Sequence, residues 1–421
     1  MSYPRTGAPL VAVVGGGQLA RMMAPAAGAL GVHLRVLVED EHASAAQVVP
    51  DAPVGAARDA EALARLVRDA DVLTFEHEHV SGEVLDRLAA RGTPVRPSAA
   101  ALVHAQDKVV MRTRLVELGV PCPDWAPVGD ETALAAFLAA HGGVGIVKTS
   151  RGGYDGKGVR RVTAAADAAD WLAAAADGSG AALLVEEQVP FTRELAALVA
   201  RRPGGELRAW PVVESVQRDG VCAEVVAPAP GLDPRTRDAA LALARAVAEG
   251  LDVVGVLAVE LFEVADPAGG APRVLVNELA MRPHNSGHWT IDGAETSQFE
   301  QHLRAVLDLP LGPTTARARW TVMANVLGST LPDPTAALPA VLAADPGARV
   351  QLYGKQVRAG RKLGHVTVCG DDLAEVRARA SAAAARLRGD DDAATSTRSA
   401  GHPTHDAGRQ GAVRDLGPEG R

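Results

Sequence analysis

An apolar run that ends in a lysine opens into a loop with four glycines in seven positions, and few folds have a use for that arrangement. The stretch reads Val147-Lys148-Thr149-Ser150-Arg151-Gly152-Gly153-Tyr154-Asp155-Gly156-Lys157-Gly158. Glycines let a chain bend freely and leave its amides uncovered. A loop of this kind, from Ser150 to Gly158, suits a flap whose amides cover phosphates, with Lys148 and Lys157 adding positive charge. It is not a Walker A loop. That pattern needs G-x-x-x-x-G-K-[ST], whereas Arg151 stands where the first glycine should be and Gly158 replaces the Ser/Thr. A hairpin tip with solvated lysines would have the same composition, so the loop has to be weighed with its surroundings.

The second constraint is a pair of carboxylates inside apolar runs. Glu260 lies in Val256-Leu257-Ala258-Val259-Glu260-Leu261-Phe262, and Glu278 lies in Val274-Leu275-Val276-Asn277-Glu278-Leu279. A Gly- and Pro-rich stretch, 265–272, separates the runs and predicts a hairpin. Burying a glutamate is costly unless it is paired or binds a cation. Two glutamates on neighbouring strands can share one, and Mg²⁺ prefers one or two carboxylates completed by substrate phosphates. Asn277 adds a neutral oxygen. An amphipathic sheet with both side chains in solvent is the alternative, but the alternation is poor.

The N-terminal part alternates strands and helices, which predicts a parallel α/β sheet. Apolar runs at Leu10–Val14, Leu34–Val38 and Asp71–Phe75 read as strands, and Gln18 to about Leu30 as a helix. Gly15-Gly16-Gly17-Gln18-Leu19-Ala20 fits G-x-G-x-x-G/A at a strand-to-helix turn, where a phosphate can meet the helix amides. With Glu39 at the end of the second strand, a dinucleotide site, a sugar-phosphate site and a plain tight turn are all open. The cluster Glu76-His77-Glu78-His79 ends the third strand. A metal there is open, and a loop facing the substrate cleft is the better reading.

Further on, helices are expected at Lys108–Leu118, Glu131–His141 and Arg235–Gly250, the last closed by its glycine. Strands are expected at Gly145–Lys148, Ala181–Val185, Glu194–Ala200 and Trp210–Val216. The stretch Arg282-Pro283-His284-Asn285-Ser286-Gly287-His288-Trp289-Thr290 reads as a polar substrate loop. Its histidines are four apart, yet prolines and glycines argue against the helix a zinc pair would need. Tyr353-Gly354-Lys355, Arg358 and Gly360-Arg361-Lys362-Leu363-Gly364-His365 suit an anionic phosphate or a solvated basic turn.

With 421 residues, two or three domains are expected. The boundaries drawn are 1–101 for a Rossmann-like domain, 102–311 for a nucleotide-binding domain, 312–388 for a small β-rich domain and 389–421 for a disordered tail. Aromatics are only 3% and the net charge is −8, which argues against a nucleic-acid partner. Three scattered cysteines form no CxxC, and no apolar stretch of membrane length occurs. A cytoplasmic protein with no membrane partner is the expectation.

Together these residues resemble the ATP-grasp superfamily, and within it the N5-carboxyaminoimidazole ribonucleotide synthases. The motifs are GGGQLARM, KTSRGGYDGKG, NELAMRPHNSGHWT, and LYGK with GRKLGH, spread from about Pro9 to about Leu387. The resemblance implies an ATP-grasp fold with a Rossmann-like N-terminal domain and a small C-terminal domain. It implies ATP-dependent carboxylation of 5-aminoimidazole ribonucleotide by bicarbonate, through carboxyphosphate, in a homodimer. ATP and Mg²⁺ would be bound, with ADP and phosphate as products.

By the same resemblance, Lys108 and Lys148 contact ATP phosphates, and the flap Gly153, Tyr154, Asp155, Gly156, Lys157, Gly158 and Val159 closes over them. Glu186, Glu187, Gln188 and Val189 form the adenine hinge, and Glu194 holds the ribose. Glu260 and Glu278 hold Mg²⁺ beside Asn277. Gln217 stands where the family pattern leads us to expect histidine, which puts that nucleotide contact in question. Arg282 is the candidate for the bicarbonate oxygens, and Asp155 and Lys355 for proton handling. Gln18, Leu19, Glu76, Asn285, Ser286, Lys355, Arg361 and Lys362 would surround the ribonucleotide. A formate-using glycinamide ribonucleotide ligase would carry glutamate in place of Gln18 and lack HNSGHWT. A nicotinamide-dependent dehydrogenase would leave Lys148, the flap and the two glutamates unexplained, and a non-catalytic ATP-binding regulator would bind ATP without bicarbonate-dependent phosphate release.

Overall fold

The computed structural model describes residues 7–153 and 158–390. Tyr154, Asp155, Gly156 and Lys157 of the flap, and the tail from 391, lie outside the described residues. The chain opens with β1 (Leu10–Val14), α1 (Gln18–Leu30), β2 (His33–Leu37), α2 (Ala60–Leu66), β3 (Val72–Phe75) and α3 (Gly82–Ala90). The strands form a parallel sheet in the order β2-β1-β3. All five residues of β1 are buried, as a central parallel strand requires. The segment at Thr93–Ser98 does more than leave this unit: Val95 bridges to Leu73 at the sheet edge, and Ser98 caps the next helix.

Next come α4 (Ala99–Gln106), α5 (Lys108–Glu117), β4 (Trp125–Val128), α6 (Glu131–Ala140), β5 (Gly145–Thr149), β6 (Val159–Val162), α7 (Ala169–Ala176) and β7 (Leu183–Glu187). Their strands make an antiparallel sheet in the order β4-β7-β5-β6. Residues 150–158 therefore connect the two strands of the β5–β6 hairpin.

The rest is one large antiparallel sheet. Its elements are β8 (Phe191–Arg201), β9 (Leu207–Ala209), β10 (Val213–Arg218), β11 (Val221–Ala227), α8 (Pro234–Gly250), β12 (Gly255–Val264), β13 (Arg273–Ala280), α9 (Thr290–Gly293), α10 (Gln298–Val306), β14 (Trp320–Leu327), α11 (Leu338–Ala344), β15 (Arg349–Leu352), β16 (Lys362–Gly370) and α12 (Leu373–Arg388). The order is β13-β12-β8-β10-β11-β14-β16-β15, with β9 beside β8. The C-terminal strands extend this sheet through β11 and β14. Alternation sorts its two faces. Leu195, Ala197, Val199, Leu257 and Val259 pack with α8 residues in one core, while Ala196, Leu198, Val256 and Ala258 pack with Trp289 and Ala305 in another.

Two expectations need correction. Trp210 is not in a strand: it is buried ahead of β10 and donates its indole N–H to the Thr296 carbonyl at 3.0 Å. Gly250 is not a left-handed stop, because α8 includes it and Leu251 follows at φ −102°. Its lack of a side chain answers to packing instead, since a Cβ there would lie 2.7 Å from Leu118 Cδ1. α12 does end on a left-handed glycine, Gly389, at φ 73°. Among the described residues, no helix is long and apolar enough to cross a membrane.

Candidate active site

The site's floor is set by strand register. β12 and β13 are antiparallel with Glu260 directly opposite Glu278, and the next pair along is Leu261 with Val276. Asn277 is thus an extra residue, a β-bulge, which bends a strand and re-aims side chains. Val276 and Leu279 are buried, whereas Asn277 and Glu278 between them are both partly open. On the other side of β12, Phe262 pairs with Glu194 of β8. Burial, then the neighbouring charges of Glu260 and Glu278, pushes the Glu194 carboxyl up to about 7.

Lysines of the neighbouring elements reach down to this floor. Lys108, the first residue of α5, lies 3.4 Å from Glu278 Oε1. Lys148 on β5 is only 6% exposed and donates to Asn277 Oδ1 at 3.3 Å. Its second partner is Glu186 Oε2 at 2.8 Å. Glu186 is itself buried and also takes the Arg112 guanidinium, from α5, at 2.8 Å. Burial would raise this carboxyl, but Lys148 and Arg112 together hold it below the usual glutamate range. Arg112 further donates to the carbonyls of Val276 and Asn277 at 2.7 and 2.8 Å, and so props the bulge. The Glu186 side chain therefore faces Lys148 and Arg112, and its backbone lies between β4 and β5 in the sheet. Neither Arg112 nor this pairing was legible in the sequence.

Beside the floor lies an apolar cluster. Val189, Val264 and Leu275 pack together with Phe262, and Phe191 stacks on Phe262 with centroids 4.7 Å apart. Glu187 accepts from the Asp124 amide at 3.1 Å and Gln188 from Arg161 at 3.3 Å, so both side chains are tied to neighbouring segments. Glu194 lies beside this cluster, opposite Phe262 in the β8–β12 pair. Gln217 donates to Ser215 Oγ at 3.0 Å on β10. Of the flap, Gly153 and Gly158 are described, at φ +75° and +71°, and Arg151 is anchored to Asp107 Oδ2 at 2.8 Å. A Cβ on Gly158 would sit 2.5 Å from Thr149 Oγ1, so glycine is required where the flap returns to β6. Val159 opens that strand opposite Lys148.

The N-terminal glycines answer to a carboxylate. Glu76 accepts from the amides of Gly17 at 3.0 Å and Leu19 at 3.4 Å, filling the N-terminus of α1 from 59 residues away. A Cβ on Gly17 would lie 2.2 Å from Glu76 Oε1, and one on Gly16 would lie 2.6 Å from Val38 Cγ1. Of the readings open for this turn, the structure shows a tight turn whose amides are taken by Glu76. Leu19's side chain is core. Gln18 accepts from Lys355 Nζ, which joins the first sheet's unit to the C-terminal strands. Glu78 holds the Arg282 guanidinium at 2.9 Å. Of the other basic candidates, Arg361 ends on the Gln356 carbonyl at 3.3 Å, and Lys362 opens β16 where its charge acts on both Cys222 and Glu260.

The 282–290 loop, read from sequence as a polar substrate loop, is divided between Glu260 and the core. His284 Nε2 lies 3.1 Å from Glu260 Oε1, and its Nδ1 pairs with Ser286 Oγ at 2.9 Å. Asn285 and Ser286 are buried. His288 and Trp289 are core, with His288 stacked on His365 at 5.1 Å and on Phe299 at 5.8 Å. The two histidines have different partners, so zinc finds no common point. Among the described residues, no group of three or more His, Cys, Asp or Glu side chains converges on one point. Two carboxylates and an amide oxygen are hard donors, and a cation completed by phosphate oxygens and water would fit them.

Glu194 gives the uncompensated charge a measurable sign. Its carboxyl keeps a proton in the folded state up to about 7, against 4.5 in an unfolded chain. Between those values the native state holds more protons, so the group's contribution to stability is present at low pH and lost as pH rises. We expect Glu194→Gln to remove that slope from the metal-free protein. Urea midpoints at about pH 5 and about pH 8 check it, and an unchanged pH difference would count against the charge cluster.

Comparison with known proteins fits this geometry. Residues 9–106 match the ribonucleotide synthetase preATP-grasp domain, 113–299 the ATP-grasp domain, and 321–379 the phosphoribosylaminoimidazole carboxylase C-terminal domain. The chain is 55% identical over 380 residues to N5-carboxyaminoimidazole ribonucleotide synthase from Mycobacterium bovis, covering 90% of this chain and 87% of that one. A solved structure of the synthetase from Thermus thermophilus is 40% identical, with a TM-score of 0.79 over 90% of this chain and 98% of that one. The Aspergillus clavatus enzyme, solved with ADP and 5-aminoimidazole ribonucleotide, is 30% identical, with a TM-score of 0.79 and the same coverage.

Proposed function

Because the chain belongs to the N5-carboxyaminoimidazole ribonucleotide synthase family of ATP-grasp ligases, we infer that it carboxylates the exocyclic amine of 5-aminoimidazole ribonucleotide with bicarbonate and ATP. ADP and phosphate are the other products. One observation carries the site assignment: Lys108 and Lys148 converge on Glu278 and Asn277, with Glu260 across the strand. Positive ends of one unit meeting paired carboxylates of another form a clamp for a nucleotide triphosphate and its cation.

On this reading the apolar cluster of Val189, Phe262 and Leu275 packs against the adenine, and Glu194 takes the ribose. Lys108 turns from Glu278 to the phosphate oxygens, and Lys148, kept in place by Glu186, gives them the N–H now directed at Asn277. Glu260 and Glu278, with Asn277, would hold Mg²⁺. When bound, the cation offsets the charge that develops on the phosphates during transfer. A bicarbonate oxygen attacks the γ-phosphorus and ADP leaves, giving carboxyphosphate. Arg282, braced by Glu78, orients the bicarbonate oxygens. The amine then attacks the carboxyl carbon, phosphate leaves and the amine loses a proton. Lys355 lies at the junction with Gln18 and Glu76, on the ribonucleotide side, and handles that proton with Asp155 of the flap. Asn285, Ser286, Arg361 and Lys362 complete that side, and the flap 153–159 excludes water from the activated carboxyl group.

On this proposal Mg²⁺ is the cation, a homodimer the working form and the cytoplasm its place. The three free cysteines are in keeping with a reducing compartment, and family resemblance supports the homodimer. The reading is tested by ADP release with ATP, bicarbonate and the ribonucleotide, each left out in turn. Release should need all three.

A further inference from the structure

Helix α10 buries three polar side chains that a core helix has no ordinary use for: Gln298, Gln301 and His302, all with no exposure. Each holds a segment of backbone. Gln301 donates to the Gly312 carbonyl and accepts from the Gly312 amide, both at 2.8 Å. His302 accepts from the Val256 amide at 3.1 Å and meets Thr74 Oγ1 at 2.8 Å. Gln298 does the same to the active-site loop. Its Oε1 accepts from the His284 amide, and its Nε2 donates to the His284 carbonyl, both at 2.8 Å.

These two bonds fix which end of the Gln298 amide is which. The second N–H of Nε2 is left for His288 Nδ1 at 3.0 Å, which makes that nitrogen an acceptor. One amide therefore holds the loop at both 284 and 288. The space is closed tightly: a Cβ on Gly287 would lie 2.3 Å from Gln298 Oε1. The side chain fixed at one end of this clamp is the His284 imidazole, 3.1 Å from Glu260 Oε1.

We propose that Gln298 is a positioning residue for the carboxylation, setting the backbone of His284 so that its imidazole stays against Glu260 and the reacting groups. It touches neither substrate nor cation. This rests on the function proposed above. Gln301 supplies a matched control, because it makes the same pair of amide-to-backbone bonds to Gly312, away from the site.

The test compares full-length Gln298→Met and Gln301→Met with the wild type by thermal unfolding, affinity for a non-hydrolysable ATP analogue, and kcat for carboxylated product. Both variants should lose similar thermal stability and keep nucleotide affinity. Gln298→Met should lose about 10²-fold in kcat, the scale on which small misplacements of reacting groups act, and Gln301→Met no more than about threefold. In a His284→Ala background, Gln298→Met should cost nothing further in kcat. Equal kcat in the two single variants, or a further loss in the double variant, would overturn the proposal. Gln298→Glu keeps the acceptor for the His284 amide and serves if the Met variant does not fold; a wild-type kcat there would also overturn it. Absence of product from the wild type would instead overturn the function on which the inference rests.

Discussion

Replacing Glu278 with glutamine is expected to lower kcat by about 10²–10³-fold while leaving the fold intact, because in the proposed site it would remove one of two charges that hold the cation at the transferring phosphate. The Glu278 side chain is 40% exposed, while Lys108, at 16%, would face a neutral amide oxygen in place of its carboxylate partner. The amide keeps the size of the carboxylate but offers a neutral oxygen, leaving Glu260 as the single charged ligand. The variant should need more Mg²⁺ for half-maximal rate and stay folded, with a urea midpoint close to that of the wild type. Steady-state rates over a Mg²⁺ series check this. A kcat within about threefold of wild type would remove Glu278 from the cation site.

Arg112→Met has its largest effect on stability. Arg112 has no side-chain exposure and Glu186 has 3%, so the pair is fully internal. The substitution takes one of two cationic partners from a buried carboxylate and strips donors from two carbonyls. Breaking a buried pair from one side costs about 3–5 kcal/mol, far above the loss from a surface bridge. Lys148 would be drawn toward the under-compensated Glu186, so nucleotide affinity should fall as well. Urea unfolding measures the first effect, and Glu186→Gln combined with Arg112→Met should recover part of the loss. A destabilisation below about 1 kcal/mol would mean the pair behaves as an exposed one.

These two residues mark where the sequence could be read and where it could not. Glu278 was visible because a charge inside an apolar strand is costly and calls for a partner. Lys148 stood out for the same reason, at the end of an apolar run before glycines. Arg112 carried no such signal. In Lys108–Glu117 an arginine on a helix looks like a solvated one, and its partner lies 74 residues further on. Glu76 at the N-terminus of α1 is a case of the same kind: the glycine pattern announced a close approach but not what approaches. The bulge at Asn277 shows only in the register of β12 against β13. His284 and His288 look equivalent in sequence, yet one faces Glu260 and the other is core. Burial of a polar side chain is decided by which distant segment needs a hydrogen bond, and for His288 that is Gln298 of α10.

The central claim is that bicarbonate is activated on ATP's γ-phosphate and passed to the ribonucleotide amine. The most direct measurement supplies ¹⁸O-labelled bicarbonate with ATP, Mg²⁺ and 5-aminoimidazole ribonucleotide, and reads the isotope in the released phosphate. Attack by a bicarbonate oxygen on phosphorus predicts phosphate carrying one labelled oxygen, formed together with carboxylated product. Unlabelled phosphate, or phosphate released equally well without the ribonucleotide, would contradict it.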